Sequence, residues 1–186
     1  MAPRAAAGGN IYHMPLVPPL DATPDEVRQT LAPLRHDFSV ALWAADNPFA
    51  VGAIVRVAHN FLAREIVIVG DAPYYAKASM GMEKYESIVR VADEDALVAH
   101  AAGRPIWALE RERATASLHD PTPFPPGVVF LFGSERFGVP DRALARADRV
   151  VAIPIYGVNH SLPLAVAAGI VMSEWARRRY ARGALR

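Results

Sequence analysis

The sequence predicts an α/β fold, a mostly parallel sheet with helices on both faces, and three observations carry that expectation. Short apolar runs alternate with helical patterns from Phe38 onward, as in successive βαβ units, where strands buried on both faces are joined by crossover helices. The 186 residues suffice for one domain with a sizeable core and are too few for two ordinary ones. A composition of 52% hydrophobic and 21% charged residues is that of a soluble globular chain rather than a disordered one.

The elements follow in order. Residues 1–37 form an N-terminal extension with one helix in "TPDEVRQTLAPL", where Thr23 is the N-cap and Pro24 takes the first helical position. The main domain spans residues 38–182, and residues 183–186 form a basic tail. The domain's first strand, "FSVALWA", leads to the helix "AVGAIVRVAHNFLA", then come the strand "EIVIVG", the helix "DEDALVAHAAG" and the strand "PIWALE". After the turn "PTPFPPG" come the strand "VVFLF", a short helix in "PDRALARAD", the strand "VVAIPI" and a long helix from about Ser161 to Arg182. A layer of six strands is expected, five of them the runs just quoted. Ligands of open α/β sheets gather beyond the C-terminal strand ends, which singles out the loops following Ala44, Phe132 and Ile155.

Several classes of function are excluded. The chain has no cysteine, which removes disulfides, zinc–thiolate clusters and thiol catalysis together. No run approaches the roughly 18 apolar residues of a membrane span, and the start lacks an apolar signal core, so a cytoplasmic protein is expected. There is no G-x-G-x-x-G after the first strand, no H-E-x-x-H, no G-x-S-x-G and no EF-hand loop. The six histidines are scattered, His59 reads as a structural helix residue, and no metal is expected. The net charge of +1 announces no nucleic acid, yet the stretch from Arg177 to Arg186 holds five arginines and no acid.

Three segments at strand ends remain. In "DNPFAVGAIVRVA", Gly52 lets a helix start close against its neighbours and Arg56 falls just past the first turn; alone it is a solvent-facing arginine. In "VVFLFGSERFGVP", Gly133 and Gly138 have the spacing of a phosphate-binding loop. Glu135 nevertheless stands where phosphate would lie, and Val139-Pro140 replace the required Lys-Ser/Thr. The plain alternative is a loop whose glycines supply positive φ, with Glu135 as a capping or surface acid. In "IPIYGVNHSLPLAVAAGIVMSEW", Ser161 is a candidate N-cap, Pro163 falls in the first helical turn, and the helix that follows is apolar nearly all round, hence buried.

Together, in this order and spacing, the three segments resemble the motifs of the SpoU/TrmH-like branch of the SPOUT methyltransferases, RNA ribose 2′-O-methyltransferases, over Phe38 to Ala176. "GAIVRVA" resembles motif one, "FGSERFGVP" motif two, and the last segment motif three. The resemblance implies a sheet whose C-terminal part is threaded as a deep trefoil knot. It also implies a pocket that binds bent S-adenosylmethionine through backbone groups of residues 133–138, 153–157 and 161–164. The implied cofactor set is Leu131, Phe132, Gly133, Ser134, Glu135, Gly138, Ile153, Ile155, Gly157, Ser161, Leu162 and Leu164. A sulfonium cofactor has no phosphate, so a lysine would have nothing to neutralise, whereas an acid beside the cation is favourable.

The implied catalytic group is Arg56, Glu135, Ser161 and Asn47. Arg56 would hold the target phosphate and stabilise the developing alkoxide, Glu135 would orient the group, and Ser161 would add hydrogen bonds. RNA contacts fall to Arg56, Arg136, Arg177, Arg178 and Arg179, with Tyr180 for stacking. The family pattern implies a homodimer, and a weak Ser-x-x-x-Glu-Lys-Tyr match at Ser79 to Tyr85 favours tRNA over rRNA. Two positions depart from the family: Ala50 and Pro163 stand where motifs one and three usually carry asparagine, with Asn47 and Asn159 or His160 as candidate replacements. These departures leave a second reading, a non-catalytic or weakly active RNA-binding relative that keeps the cofactor pocket. A nucleotide hydrolase is a third.

Overall fold

A computed structural model describes residue 19 and residues 21–43, 47–71 and 73–181, with side chains to 179. The expectations that fall on Ala44, on the side chain of Tyr180 and on the 183–186 tail lie outside the described residues. The seven strands are β1 (Ser39–Trp43), β2 (Glu65–Val69), β3 (Ile88–Val91), β4 (Ile106–Leu109), β5 (Ala116–Ser117), β6 (Val129–Phe132) and β7 (Arg149–Ala152). The helices are α1 (Pro24–Leu31), α2 (Pro48–Asn60), α3 (Glu94–Ala101), α4 (Asp141–Leu144) and α5 (Leu164–Ala181). Every strand pair is parallel, in the order β3-β2-β1-β6-β4-β7-β5.

Side chains alternate across the sheet, as the two-residue strand period requires. Val40 and Leu42 of β1 join Phe130 and Phe132 of β6 in a core under α2 and α5. Ala41 and Trp43 join Val129 and Leu131 in a second core under α3 and α4. Helices therefore cover both faces, as the alternation of runs predicts. No helix among the described residues is long and apolar enough to cross a membrane.

Of the six expected strands, the five quoted runs form β1, β2, β4, β6 and β7, and the structure adds two more. β3 lies inside "ESIVRV" and borrows its stability from β2, with Val67 beside Val89, while β5 is a two-residue addition beside β7. β7 ends at Ala152 rather than Ile155, because no strand partners the residues beyond it. α1 is capped as read, with a reciprocal capping box between Thr23 and Glu26. His59 is structural: its Nδ1 lies 2.8 Å from Glu86, which also receives the guanidinium of Arg35 at 2.7 and 2.9 Å.

α2 begins at Pro48, capped by Asn47, whose Oδ1 accepts the N–H groups of Phe49 and Ala50 at 3.1 and 3.3 Å. Arg56 is consequently the ninth residue of the helix, not one just past its first turn. Along α2 run two 3₁₀ turns, Ala76–Ser79 and Met82–Lys84, joined where the Ser79 hydroxyl donates to Glu83. The serine–glutamate spacing thus has a local structural use. A Cβ at Gly52 would sit 2.4 Å from the Tyr75 carbonyl oxygen and 2.8 Å from the Ala78 Cβ. Gly52→Ala is expected to destabilise the fold by about 2 kcal/mol and lower Tm by about 4–8 °C. A variant that melts with the parent would show that this approach is not tight in solution.

Candidate functional site

Three strands end level with one another. Leu109 of β4 stands beside Phe132 of β6 and Val151 of β7, so the loops starting at Glu110, Gly133 and Ile153 leave the sheet side by side. They enclose a cavity of about 450 Å³, at the strand ends where an α/β sheet binds its ligand.

The loop 133–138 folds back on itself. Ser134 and Gly138 exchange backbone hydrogen bonds at 3.2 and 2.9 Å, and the Ser134 hydroxyl accepts the Phe137 N–H at 3.0 Å. The closure leaves no room at Gly133, where a Cβ would lie 1.9 Å from the Gly138 carbonyl carbon. Gly138 has φ +65°, a conformation open to glycine and costly for other residues. Both glycines of the motif therefore have separate physical reasons. Phe137 is left outside, 74% exposed, with the Arg136 guanidinium 5.0 Å above its ring.

Glu135 reaches out of this loop to two helix starts. Its Oε1 accepts the N–H of Leu164, the first residue of α5, at 3.0 Å, and its Oε2 faces the Asn47 side-chain amide at 3.5 Å. The α5 dipole and the charge on the acceptor favour this contact. Ser161, expected as the N-cap, lies exposed three residues before the helix, with its own N–H donating to Asn159 Oδ1 at 3.3 Å. The α5 cap is thus a carboxylate from a distant loop. The first turn is closed by the Pro163 carbonyl, which accepts from Val166 and Ala167 at 2.9 and 3.0 Å.

Ten expected cofactor residues line the cavity: Phe132, Gly133, Ser134, Glu135, Gly138, Ile153, Ile155, Ser161, Leu162 and Leu164. Two do not. Leu131 points into the α3 face of the core, opposite to Phe132, and Gly157 is exposed, with nothing within 4 Å of the place a Cβ would take. Neither Asn47 nor Arg56 is on the lining; Arg56 is exposed and has no ion pair or hydrogen bond among the described residues. The cavity also includes Glu110, Arg111 and Arg113 from the loop after β4. The sequence reading missed that loop, although the "ALE" end of a strand was a usable signal.

The C-terminal arginines divide. Arg178 is turned inward: it donates to Glu174 at 2.7 Å, to the Thr122 carbonyl at 2.7 Å and to the Leu118 carbonyl, and lies 4.5 Å over the Phe124 ring. That corrects its assignment to RNA, since its donors are committed to the fold. Arg177 is exposed while paired twice with Glu174, and Arg179 is exposed. α5 is also not buried all round: Leu164, Ala168, Val171, Met172 and Trp175 face the core, while Val166 on the other side is 48% exposed.

Hydrogen bonds from Arg177, against burial and aided by Arg178, hold the Glu174 carboxyl at about 2, below its ordinary 4.5. A depressed carboxyl contributes stability above its unfolded value and loses it as the folded group protonates. The stability gap between the parent and Glu174→Gln is therefore expected to be widest above pH 4.5 and to close as pH falls through about 2. Urea midpoints across that range check it, and a gap that stays constant would contradict it.

Known proteins share this architecture. The model of the SpoU rRNA methylase family matches residues 37–173. A tRNA (guanosine(18)-2′-O)-methyltransferase of Thermus thermophilus is 27% identical over 162 residues, covering 84% of this chain and 83% of that protein. A solved S-adenosylmethionine-bound rRNA methyltransferase of Sinorhizobium meliloti is 29% identical with a TM-score of 0.68, covering 82% of this chain and 60% of the other. A structure described for 2-OH methylation of C/U34 on tRNA is 25% identical with a TM-score of 0.70, covering 78% and 97%.

Proposed function

The chain belongs to the SpoU rRNA methylase family and is on that ground an RNA 2′-O-methyltransferase; we propose that it takes its methyl group from S-adenosylmethionine and favours tRNA over rRNA. The observation that carries the reading is the cavity bounded by the closed loop 133–138, with Glu135 tying that loop to the starts of α2 and α5.

The residues present fit the cofactor. Ile153, Ile155, Leu162 and Phe132 offer apolar walls for a flat base, and the missing Cβ of Gly133 lets the loop backbone close at the wall. Glu110, Glu112, Glu135 and Asp141 put carboxylates around the same cavity, which suits a sulfonium cation. When bound, S-adenosylmethionine supplies an electrophilic methyl group. The family's deep trefoil knot in the C-terminal part, the single domain over residues 38–182 and the extension over 1–37 belong to this reading.

Arg56 grips the phosphate beside the target ribose and stabilises the alkoxide that develops at its 2′-oxygen. A guanidinium already protonated at neutral pH is a poor proton acceptor, so the 2′-hydroxyl proton passes, as the methyl moves, to the target phosphate, to water or, least readily, to Arg56. Arg56 lies nine residues beyond Asn47, about 13 Å along the helix at 1.5 Å per residue, farther than its side chain spans. A second copy supplies Arg56 to each cavity, so the protein works as a homodimer. Val166, 48% exposed on the outer side of α5, suits such packing. Arg136, Arg177 and Arg179 hold RNA phosphates at the rim, and Tyr180 stacks on a base.

The preference for tRNA rests on the Thermus thermophilus relative, named for guanosine 18 of tRNA. The reading without catalysis rests on Ala50 and Pro163. Against it, the Asn47 amide stands at Glu135 and supplies from three residues upstream the group that Ala50 lacks. Methyl transfer from labelled S-adenosylmethionine to tRNA and rRNA from cells lacking the protein is the test. One alkali-resistant linkage in tRNA is expected. Salt-dependent RNA binding with no transfer to any RNA would instead support the non-catalytic relative.

A further inference from the structure

Glu110 is the first residue after β4, and its backbone N–H donates to the Val151 carbonyl at 3.1 Å, which extends the sheet by one bond and fixes its Cα. The side chain is held at both oxygens. Oε2 accepts the Val139 N–H at 3.1 Å and Oε1 accepts the Glu112 N–H at 3.3 Å. A Cβ at Gly138 would lie 2.3 Å from Oε2, so the carboxylate rests against the backbone of the motif-two loop. The nearby arginines are engaged elsewhere, Arg113 with Asp141 at 3.1 Å and Arg111 with Glu112 at 3.9 Å. Glu110 has no cationic partner among the described residues. Each of its oxygens retains acceptor capacity, as a carboxylate offers about four lone-pair sites.

Resting on the cofactor reading above, we infer that Glu110 receives the two ribose hydroxyls of S-adenosylmethionine. The cofactor presents three donor groups: the adenine amino group, the ribose diol and the amino-acid ammonium. The carbonyls of Ile153, Pro154 and Ile155 accept no backbone hydrogen bond among the described residues, and the apolar walls stand with them, so the base is served there. The ammonium travels with its own carboxylate and suits the mixed charges of Arg111, Glu112 and Arg113. A diol is a two-donor group without charge, and it matches a rigid two-oxygen acceptor. An acid just after a sheet strand performs the same service for ribose in dinucleotide-binding folds.

Calorimetric binding tests this with S-adenosylhomocysteine, its 2′-deoxy and 3′-deoxy ribose analogues, and 5′-methylthioadenosine. The parent is expected to bind the deoxy analogues about ten- to a hundredfold more weakly than S-adenosylhomocysteine, and Glu110→Gln to reduce that discrimination to about threefold or less. Glutamine keeps an acceptor for the Val139 N–H, and Glu110→Asp keeps the charge, so a melting curve for each separates folding from recognition. Equal affinity of the parent for all three ribose forms overturns the assignment without any variant. Undiminished discrimination in a folded Glu110→Gln also overturns it. So does a loss seen with S-adenosylhomocysteine and not with 5′-methylthioadenosine, which would place the ammonium at Glu110. If the parent binds S-adenosylhomocysteine not at all, the cofactor reading itself falls, and this assignment with it.

Discussion

Arg56→Ala is expected to cut methyl transfer by a factor of about 10² or more, the cost of removing one positioned donor from a developing oxyanion, while S-adenosylhomocysteine still binds. The fold is expected to be unaffected. Arg56 is exposed in the last turns of α2 without a partner among the described residues, and such surface changes shift stability by only about 0.5 kcal/mol, or roughly 1–2 °C in Tm at this chain length. Arg56→Lys keeps the charge and loses the planar fork, so it should recover only part of the rate. Mixing Arg56→Ala with Glu135→Ala protein extends the test to the shared site, since a heterodimer retains one cavity with both groups intact. Full transfer by Arg56→Ala would end the role given to this arginine. Absence of any recovery in exchanged mixtures would end the reading in which one copy completes the other's site.

Gly133→Ala is expected to damage both stability and cofactor binding. The added methyl would meet the Gly138 carbonyl carbon at 1.9 Å, and the Gly138 oxygen and the Val139 nitrogen at 2.2 Å each. All three are backbone atoms, so no rotamer relieves the overlap. The Ser134–Gly138 pair must open, and the Val139 N–H must leave Glu110. A cost of about 3 kcal/mol follows from overpacking with two broken hydrogen bonds, which lowers Tm by about 6–12 °C at this chain length. Because the same loop walls the cavity, S-adenosylhomocysteine binding is expected to be lost beyond a hundredfold. A parent-like melting curve together with parent-like binding would show that the loop does not close in this way.

Much of this was legible in the chain because it is written in local periodicity. Short, β-branched or aromatic apolar runs such as "EIVIVG" and "VVFLF", bounded by turn residues, read as buried strands, and Thr23-Pro24 with Glu26 states a helix start within four residues. The two glycines of "FGSERFGVP" mark a loop whose backbone alone has steric reasons for them. β3 and β5 were less visible, since each owes its conformation to a neighbour, β2 in one case and β7 in the other.

The side-chain assignments needed the folded chain. Ser161 has the identity of an N-cap, yet a charged acceptor 29 residues away takes the N–H of Leu164, and no local rule ranks a distant carboxylate above a nearby hydroxyl. Arg178 looks like its neighbours in "RRRYAR", but its place on α5 turns it toward the Leu118 and Thr122 carbonyls. Glu110 becomes part of the cavity only because β4 lies between β6 and β7. Composition and periodicity are properties of neighbours along the chain, and they were enough for the layer and five of its strands, while the three quoted motif segments carried the family resemblance. Which carboxylate caps which helix, and which arginine stays exposed, depends on strand order, which brings together groups that are far apart in sequence.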